Sequence, residues 1–227
     1  IMGVLMVGRT LHSNLIAYIV LGPARTGAIN LLDVSYRTVV RLTAGSLYSF
    51  SLITPSAAGD LFIKTCDDNN VCSASVWDND TLHPLEVAVD AGGSGVWSAD
   101  GLLAFEACTF SVCDIYLWDG ATEQNLTNSP DMTEAFPAWS SDGRLAFLAC
   151  TSASCYVDLW DRQTRQTITE DFAPHFAAPV WSSDGRLAVS SACEDFYNCD
   201  IILWNGQTTL NLTQSPVFND EFPLWSS

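Results

Sequence analysis

An all-β fold assembled from repeated four-stranded units is predicted by three observations. The hexapeptide Val96-Trp97-Ser98-Ala99-Asp100-Gly101 returns 42 residues later as Ala138-Trp139-Ser140-Ser141-Asp142-Gly143, and after 42 more as Val180-Trp181-Ser182-Ser183-Asp184-Gly185. A second apolar run ending in tryptophan follows each copy: Ile115-Tyr116-Leu117-Trp118, Val157-Asp158-Leu159-Trp160 and Ile201-Ile202-Leu203-Trp204. Between the two runs of each copy sits one close pair of cysteines. Gly, Asp, Asn, Ser and Pro punctuate about four short strand-like runs per copy, with no capped amphipathic helix among them. Four strands in roughly 40–45 residues describe a β-propeller blade, because one such sheet has two apolar faces and needs neighbours to cover both.

The elements follow in order. Residues 1–13 form an N-terminal segment, in which Gly3–Val7 is a candidate innermost strand of a first copy. Repeats fill 14–227, with hairpin units near 14–45, 60–90, 101–128, 143–170 and 185–213, and a final strand at 222–227. The two earliest units are degenerate, and the first has no cysteines. With strands lettered a to d from the axis outward, the best copy reads Phe136–Ser140, Arg144–Ala149, Tyr156–Trp160 and Gln166–Thr169. Ser-x-Asp-Gly is the a–b turn, where Asp supplies a side-chain acceptor and Gly a positive φ. Tryptophans fall alternately on strands a and c and are assigned to filling between blades. The chain stops at Trp225-Ser226-Ser227, just before the next expected Asp-Gly turn, and is read as a piece of about five repeats.

Composition excludes several function classes. The 227 residues carry a net charge of −17, from nine Lys+Arg against 26 Asp+Glu, so nucleic acid and anionic membrane surfaces are poor partners. The charge is uneven: residues 1–63 hold four Arg and two Asp, and all other acids come later. Hydrophobic residues make up 48% of the chain, too many for a disordered one. The most apolar stretch, Ile1–Leu21, is broken by Arg9, His12 and Asn14, so no membrane-spanning helix is predicted.

The unit Phe-Pro-x-Trp-Ser-x-Asp-Gly-x-Leu-Ala-Phe, followed by an Ile-Tyr-Leu-Trp-Asp strand, resembles the TolB-type WD40-like (PD40) propeller repeat. The resemblance is close over 94–227 and weak over 14–93. Where that family commonly has Pro before the Asp, this chain has Ala99, Ser141 or Ser183. The resemblance implies an envelope or secreted setting. It does not imply one activity, since such propellers serve as interaction platforms, as companions of peptidase domains and as lyase scaffolds.

The cysteines pair locally as Cys66/Cys72, Cys108/Cys113, Cys150/Cys155 and Cys193/Cys199, each across the base of a b–c hairpin. Facing hairpin residues have the short Cβ separation a bridge needs, whereas a zinc site would need two pairs converging on one ion. Disulfides place the chain outside the reducing cytoplasm, in a secreted, periplasmic or cell-surface setting.

Strand alternation sends the b–c and d–a loops to one end of the sheets. The b–c loops carry Asp67, Asp68, Phe110, Glu194, Asp195, Phe196 and Tyr197, and the d–a loops Asp131, Glu134, Asp171, His175, Phe176, Asp220 and Glu221. Acids mixed with aromatics at loop tips read as a recognition surface. His12, His83 and His175 lack metal-ligand spacing, no Gly-x-Ser-x-Gly elbow or phosphate loop occurs, and no metal or cofactor is expected. The sequence is therefore read as a non-catalytic platform for a protein or basic peptide. The alternative is the propeller domain of a larger secreted peptidase or polysaccharide lyase.

Overall fold

The computed structural model describes residues 15–21, 26–46, 48–67, 69, 71–78, 81–87, 93–109, 112–169, 178–191, 199–215 and 218–226. Among them there is no helix, and every sheet is an antiparallel meander in chain order. The chain divides into two compact units, 1–92 and 93–227.

The first unit holds two sheets. One has three strands, β1 (Leu15–Leu21), β2 (Thr26–Asp33) and β3 (Thr38–Ser46). The second has four, β4 (Tyr48–Pro55), β5 (Leu61–Cys66), β6 (Cys72–Trp77) and β7 (Leu82–Pro84). Ile29 and Leu31 of β2 pack on Leu61, Ile63 and Trp77 of the second sheet. The candidate strand Gly3–Val7 lies outside the described residues.

The second unit holds three four-stranded sheets. The third sheet is β8 (Gly95–Trp97), β9 (Leu103–Thr109), β10 (Val112–Trp118) and β11 (Glu123–Asn125). The fourth is β12 (Thr133–Trp139), β13 (Leu145–Cys150), β14 (Cys155–Trp160) and β15 (Arg165–Thr167). The fifth is β16 (Val180–Trp181), β17 (Leu187–Ser191), β18 (Asp200–Trp204) and β19 (Thr209–Asn211). Strand β13 shows why the sequence folds this way. All six of its residues are buried, and they alternate with period two. Leu145 and Phe147 join Ala104, Ile115 and Leu117 of the third sheet, while Ala146 and Leu148 join Leu187, Val189 and Trp204 of the fifth. A strand covered on both faces reads as a continuous apolar run, as Leu-Ala-Phe-Leu-Ala-Cys does.

Two details differ from the sequence expectation. Strand β12 starts at Thr133, earlier than Phe136, and its ladder shifts register between Ala135 and Ala138. The bulge puts Phe136 at φ 56° and frees its N–H, which donates to the buried Glu106 carboxylate of the third sheet at 2.7 Å. The final strand expected at 222–227 forms no ladder over 222–226. Phe222 repeats the positive-φ geometry of Phe136 instead, with φ 55° and its N–H donating to Ser190 Oγ at 3.1 Å.

Candidate functional site

The sheets of the second unit have a turn end and a loop end, and their chemistry differs. At the turn end each Ser-x-Asp-Gly closes the same way. Ser98 Oγ donates to Asp100 Oδ1 and accepts from the Leu102 N–H at 2.8 Å, and Gly101 takes φ 88°. Ser140 and Ser182 make the equivalent bonds to Asp142, Arg144, Asp184 and Arg186, with Gly143 at φ 86° and Gly185 at φ 83°. The earlier unit has the turn too. Ser56 accepts from the Asp60 N–H at 2.9 Å, with Gly59 at φ 95°, so here the acid has moved two places along. The signal was Ser56 and Gly59 lying 42 residues before Ser98 and Gly101.

Arginines lock this end. Arg144 caps Asp142, donates across to Gly185 O at 3.2 Å and lies over the Trp181 ring at 4.8 Å. Arg186 caps Asp184 and lies over Trp225 at 4.8 Å. The third sheet has Leu102 at the equivalent position. Arg162 of the fourth sheet takes over the role. Its guanidinium grips Asp100 with two bonds of 2.7 and 2.8 Å, donates to Gly143 O at 3.0 Å and lies over Trp139 at 5.4 Å. It does so at φ 76°, where the third and fifth sheets have Gly120 and Gly206. The Arg162 guanidinium, helped by the Ser98 hydroxyl, holds the Asp100 carboxyl well below the usual carboxylate range. Arg186 and Ser182 hold Asp184 down at about 2. Thus Asp100, Asp142 and Asp184, expected only as turn formers, also bind the arginines.

Indole N–H groups link successive sheets. Trp139 Nε1 donates to Val96 O at 3.2 Å, Trp181 Nε1 to Ala138 O at 2.9 Å and Trp225 Nε1 to Val180 O at 3.0 Å. Each strand-a tryptophan also meets the strand-c tryptophan of its own sheet edge-on, as Trp139 does Trp160 at 6.2 Å between centroids. The tryptophans are structural, as their spacing predicts.

The third and fourth sheets meet around buried charge. Glu134, expected at an exposed d–a loop, lies on β12 with its side chain 0% exposed. The reason is Arg165, which donates to Glu134 Oε1 at 2.9 Å, to Asp158 Oδ2 at 2.6 Å and to Ser129 Oγ at 3.1 Å. Burial pushes the Glu134 carboxyl up, against the lowering pull of Ser129 and Arg165. Its second oxygen, Oε2, has no hydrogen-bond partner among the described residues. A recess of about 200 Å³ beside this group is lined by Leu126, Phe147, Trp160, Gln163 and Arg165.

At the loop end of the second unit, hairpin register puts Cys108 opposite Cys113 and Cys150 opposite Cys155, and in the first unit the b–c hairpin likewise puts Cys66 opposite Cys72. All three pairs are disulfides, with Cα atoms 3.9–4.0 Å apart. Cys199 is disulfide-bonded as well, and its expected partner Cys193 lies outside the described residues. Asp67 closes its b–c loop by accepting from the Val71 and Asn69 N–H groups, which pull its carboxyl down. Asp131 is exposed. Asp220 accepts from Ser215 Oγ and donates its N–H to Cys199 O at 2.8 Å, and Glu221 is half-buried beside it in sequence. Of the remaining sequence-predicted residues, Asp68, Phe110, Asp171, His175, Phe176, Glu194, Asp195, Phe196 and Tyr197 lie outside the described residues. The Asn-Leu-Thr triplets beside this end have a role the sequence did not reveal. Asn125 and Thr127 donate to Asp114, and Asn211 and Thr213 to Asp200, fixing strand d to strand c.

Among the described residues no three His, Cys, Asp or Glu side chains are grouped to hold a metal ion. No helix there is long and apolar enough to cross a membrane.

No protein-family model matches the sequence, and no curated protein matches it. Solved structures do. TolB from Acinetobacter baumannii is 17% identical with a TM-score of 0.56, covering 91% of this chain and 54% of its own. The β-propeller domain of the Trilobed protease from Pyrococcus furiosus is 14% identical with a TM-score of 0.55, covering 87% and 65%. A puromycin-hydrolyzing peptidase from Mycobacterium tuberculosis is 14% identical with a TM-score of 0.58, covering 87% and 35%. The chain therefore spans less than two thirds of each of these proteins. At such identities the likeness is one of fold, and the fold is the β-propeller: five antiparallel sheets of three or four strands, built as blades.

Proposed function

We propose that this chain is an extracytoplasmic propeller segment that binds a basic peptide or protein through the loop end of its second unit. One observation carries the reading. Residues 93–227 contain four cations, Arg144, Arg162, Arg165 and Arg186, and all four are engaged at the turn end or in the buried junction. The sequence segments 128–132, 170–179, 192–198 and 214–221 contain no Lys or Arg, yet they hold seven acids, of which Asp131, Asp220 and Glu221 lie among the described residues. A surface with acids and no competing cations attracts positive partners and steers their approach. Disulfides at the hairpin bases pre-organise the loops, which reduces the ordering cost of binding, and they suit an oxidising compartment.

Fluorescence anisotropy of a labelled oligolysine peptide tests the reading. Affinity falls steeply as salt rises, and Asp131→Asn with Glu221→Gln weakens it further. Binding indifferent to both salt and these substitutions would sink the proposal. A second reading is supported by the peptidases among the structural neighbours: the segment is the propeller domain of a longer hydrolase. A nucleophile-bearing domain encoded in the same gene would favour that reading.

A further inference from the structure

We propose that Asn205–Gly206, in the turn between β18 and β19, is a site of spontaneous deamidation that converts residue 205 to the acid carried by the other repeats. Asp78, Asp119 and Asp161 occupy the equivalent turn position, and each accepts from the N–H three residues on. The fifth sheet alone has the amide there, and a glycine follows it. Both residues are exposed, and Gly206 carries no side chain beside the attacking nitrogen.

The turn also activates the electrophile. Asn205 Oδ1 accepts from the Gln207 and Thr208 N–H groups, both at 3.0 Å. Two backbone donors on one carbonyl oxygen stabilise the negative charge that develops there when its carbon is attacked. The Gly206 nitrogen adds to Cγ of Asn205. Nδ2 leaves as ammonia, taking up the Gly206 proton through solvent, and a five-membered succinimide remains. Water then opens the ring. Attack at one carbonyl gives aspartate, and attack at the other gives isoaspartate. No oxidant or further reactant is needed.

Neighbouring positions explain the selectivity. Asp119 also precedes a glycine, but the Thr122 and Ala121 N–H groups keep its carboxyl ionised, and a carboxylate resists nucleophiles. Asn125 and Asn211 are followed by Leu126 and Leu212, whose side chains crowd the attacking nitrogen. Their amide nitrogens donate to the Asp114 and Asp200 carboxylates, whereas Asn205 Nδ2 donates to the neutral Thr208 hydroxyl at 3.1 Å. The aspartate product keeps the acceptor that closes the turn. The isoaspartate product lengthens the backbone by one carbon and breaks the β18–β19 register. The site is at the turn end, so it stands apart from the binding end proposed above.

The test is timed incubation of the purified, oxidised chain in mildly alkaline buffer, followed by peptide mapping of 201–215. A mass gain of about 1 Da should map to position 205. Isoaspartyl methyltransferase labelling reports the second product. The native chain should convert at least as fast as the reduced, denatured chain, because the folded turn supplies the two donors. Gly206→Ala, whose side chain crowds the attacking nitrogen, should slow conversion about tenfold or more in the denatured chain as well as the native one. The denatured arm is free of the strain an alanine carries at the native φ of 101°. Retention of the amide in the native chain while the denatured chain converts would overturn the proposal. So would a mass gain that maps to another asparagine.

Discussion

Replacing Arg162 separates two opposing effects that the fold combines in one residue. At φ 76° a non-glycine side chain costs about 1 kcal/mol of backbone strain. Against this, the guanidinium makes a two-bond grip on Asp100, a bond to Gly143 O and a stacking contact with Trp139. The ion pair is largely open to solvent, with side chains 37% and 60% exposed, so it contributes no more than about 1 kcal/mol. The bond to Gly143 O adds about 1 kcal/mol, and the contact with Trp139 about 0.5 kcal/mol. Arg162→Ala loses all of these and keeps the strain, a cost of about 2–3 kcal/mol. Arg162→Gly loses them and releases the strain, so it should be less damaging by about 1 kcal/mol. Urea unfolding with the disulfides kept oxidised gives the order: native, then Arg162→Gly, then Arg162→Ala. Asp100→Asn completes a double-mutant cycle, with a coupling of about 0.5–1 kcal/mol. An Arg162→Ala protein as stable as the native one, or more stable than Arg162→Gly, would refute the reasoning.

Four further outcomes follow from the same geometry. Glu134 has a folded-state pKa raised by burial, so its contribution to stability is complete below the unfolded value of 4.5 and is lost as pH rises through the folded one. Glu134→Gln should therefore gain stability relative to native with rising pH, as read by urea midpoints across a pH series. The opposite sign holds for Asp100, Asp142 and Asp184, whose carboxyls are held low. Their contributions are present above 3.8 and lost as pH falls through their lowered folded values, about 2 for Asp184, and Asp184→Asn should flatten that acid limb. Arg165→Met leaves Glu134 and Asp158 buried without their cation and should cost about 3–5 kcal/mol in the same assay. Removing the Cys108–Cys113 bridge with paired serines should cost about 2 kcal/mol while leaving far-ultraviolet circular dichroism unchanged, because the loop it closes is short.

The blade architecture was legible because one 42-residue period imposed the same burial on every copy. Leu145–Cys150 is a continuous apolar run, the mark of a strand buried on both faces. The cysteine pairs were legible for a related reason: hairpin register is local, so partners five or six residues apart must face each other. What escaped were contacts between copies. Glu134 looked like a loop acid because its partner Arg165 is 31 residues away and belongs to strand d. Nothing in the sequence singled out Arg162, because Asp100 is 62 residues earlier. Neither contact follows the repeat. Each instead compensates for a departure from it, Arg162 for the leucine at 102 and Arg165 for the acid at 158, where the neighbouring copies have Tyr116 and Ile202. A period reveals what is common to the copies and is silent about repairs made in one.

The indole links between sheets all run in one direction. The donor belongs to the later segment and the acceptor carbonyl to the earlier one, at Trp139 to Val96, Trp181 to Ala138 and Trp225 to Val180. A chain leaving the ribosome presents its segments in that same order. Every acceptor strand is thus already in place when its donor emerges, and no sheet waits on a later one to complete the link behind it. Such wiring lets the second unit be built by accretion, one blade docking on the last, with each docking step reporting only on its immediate predecessor.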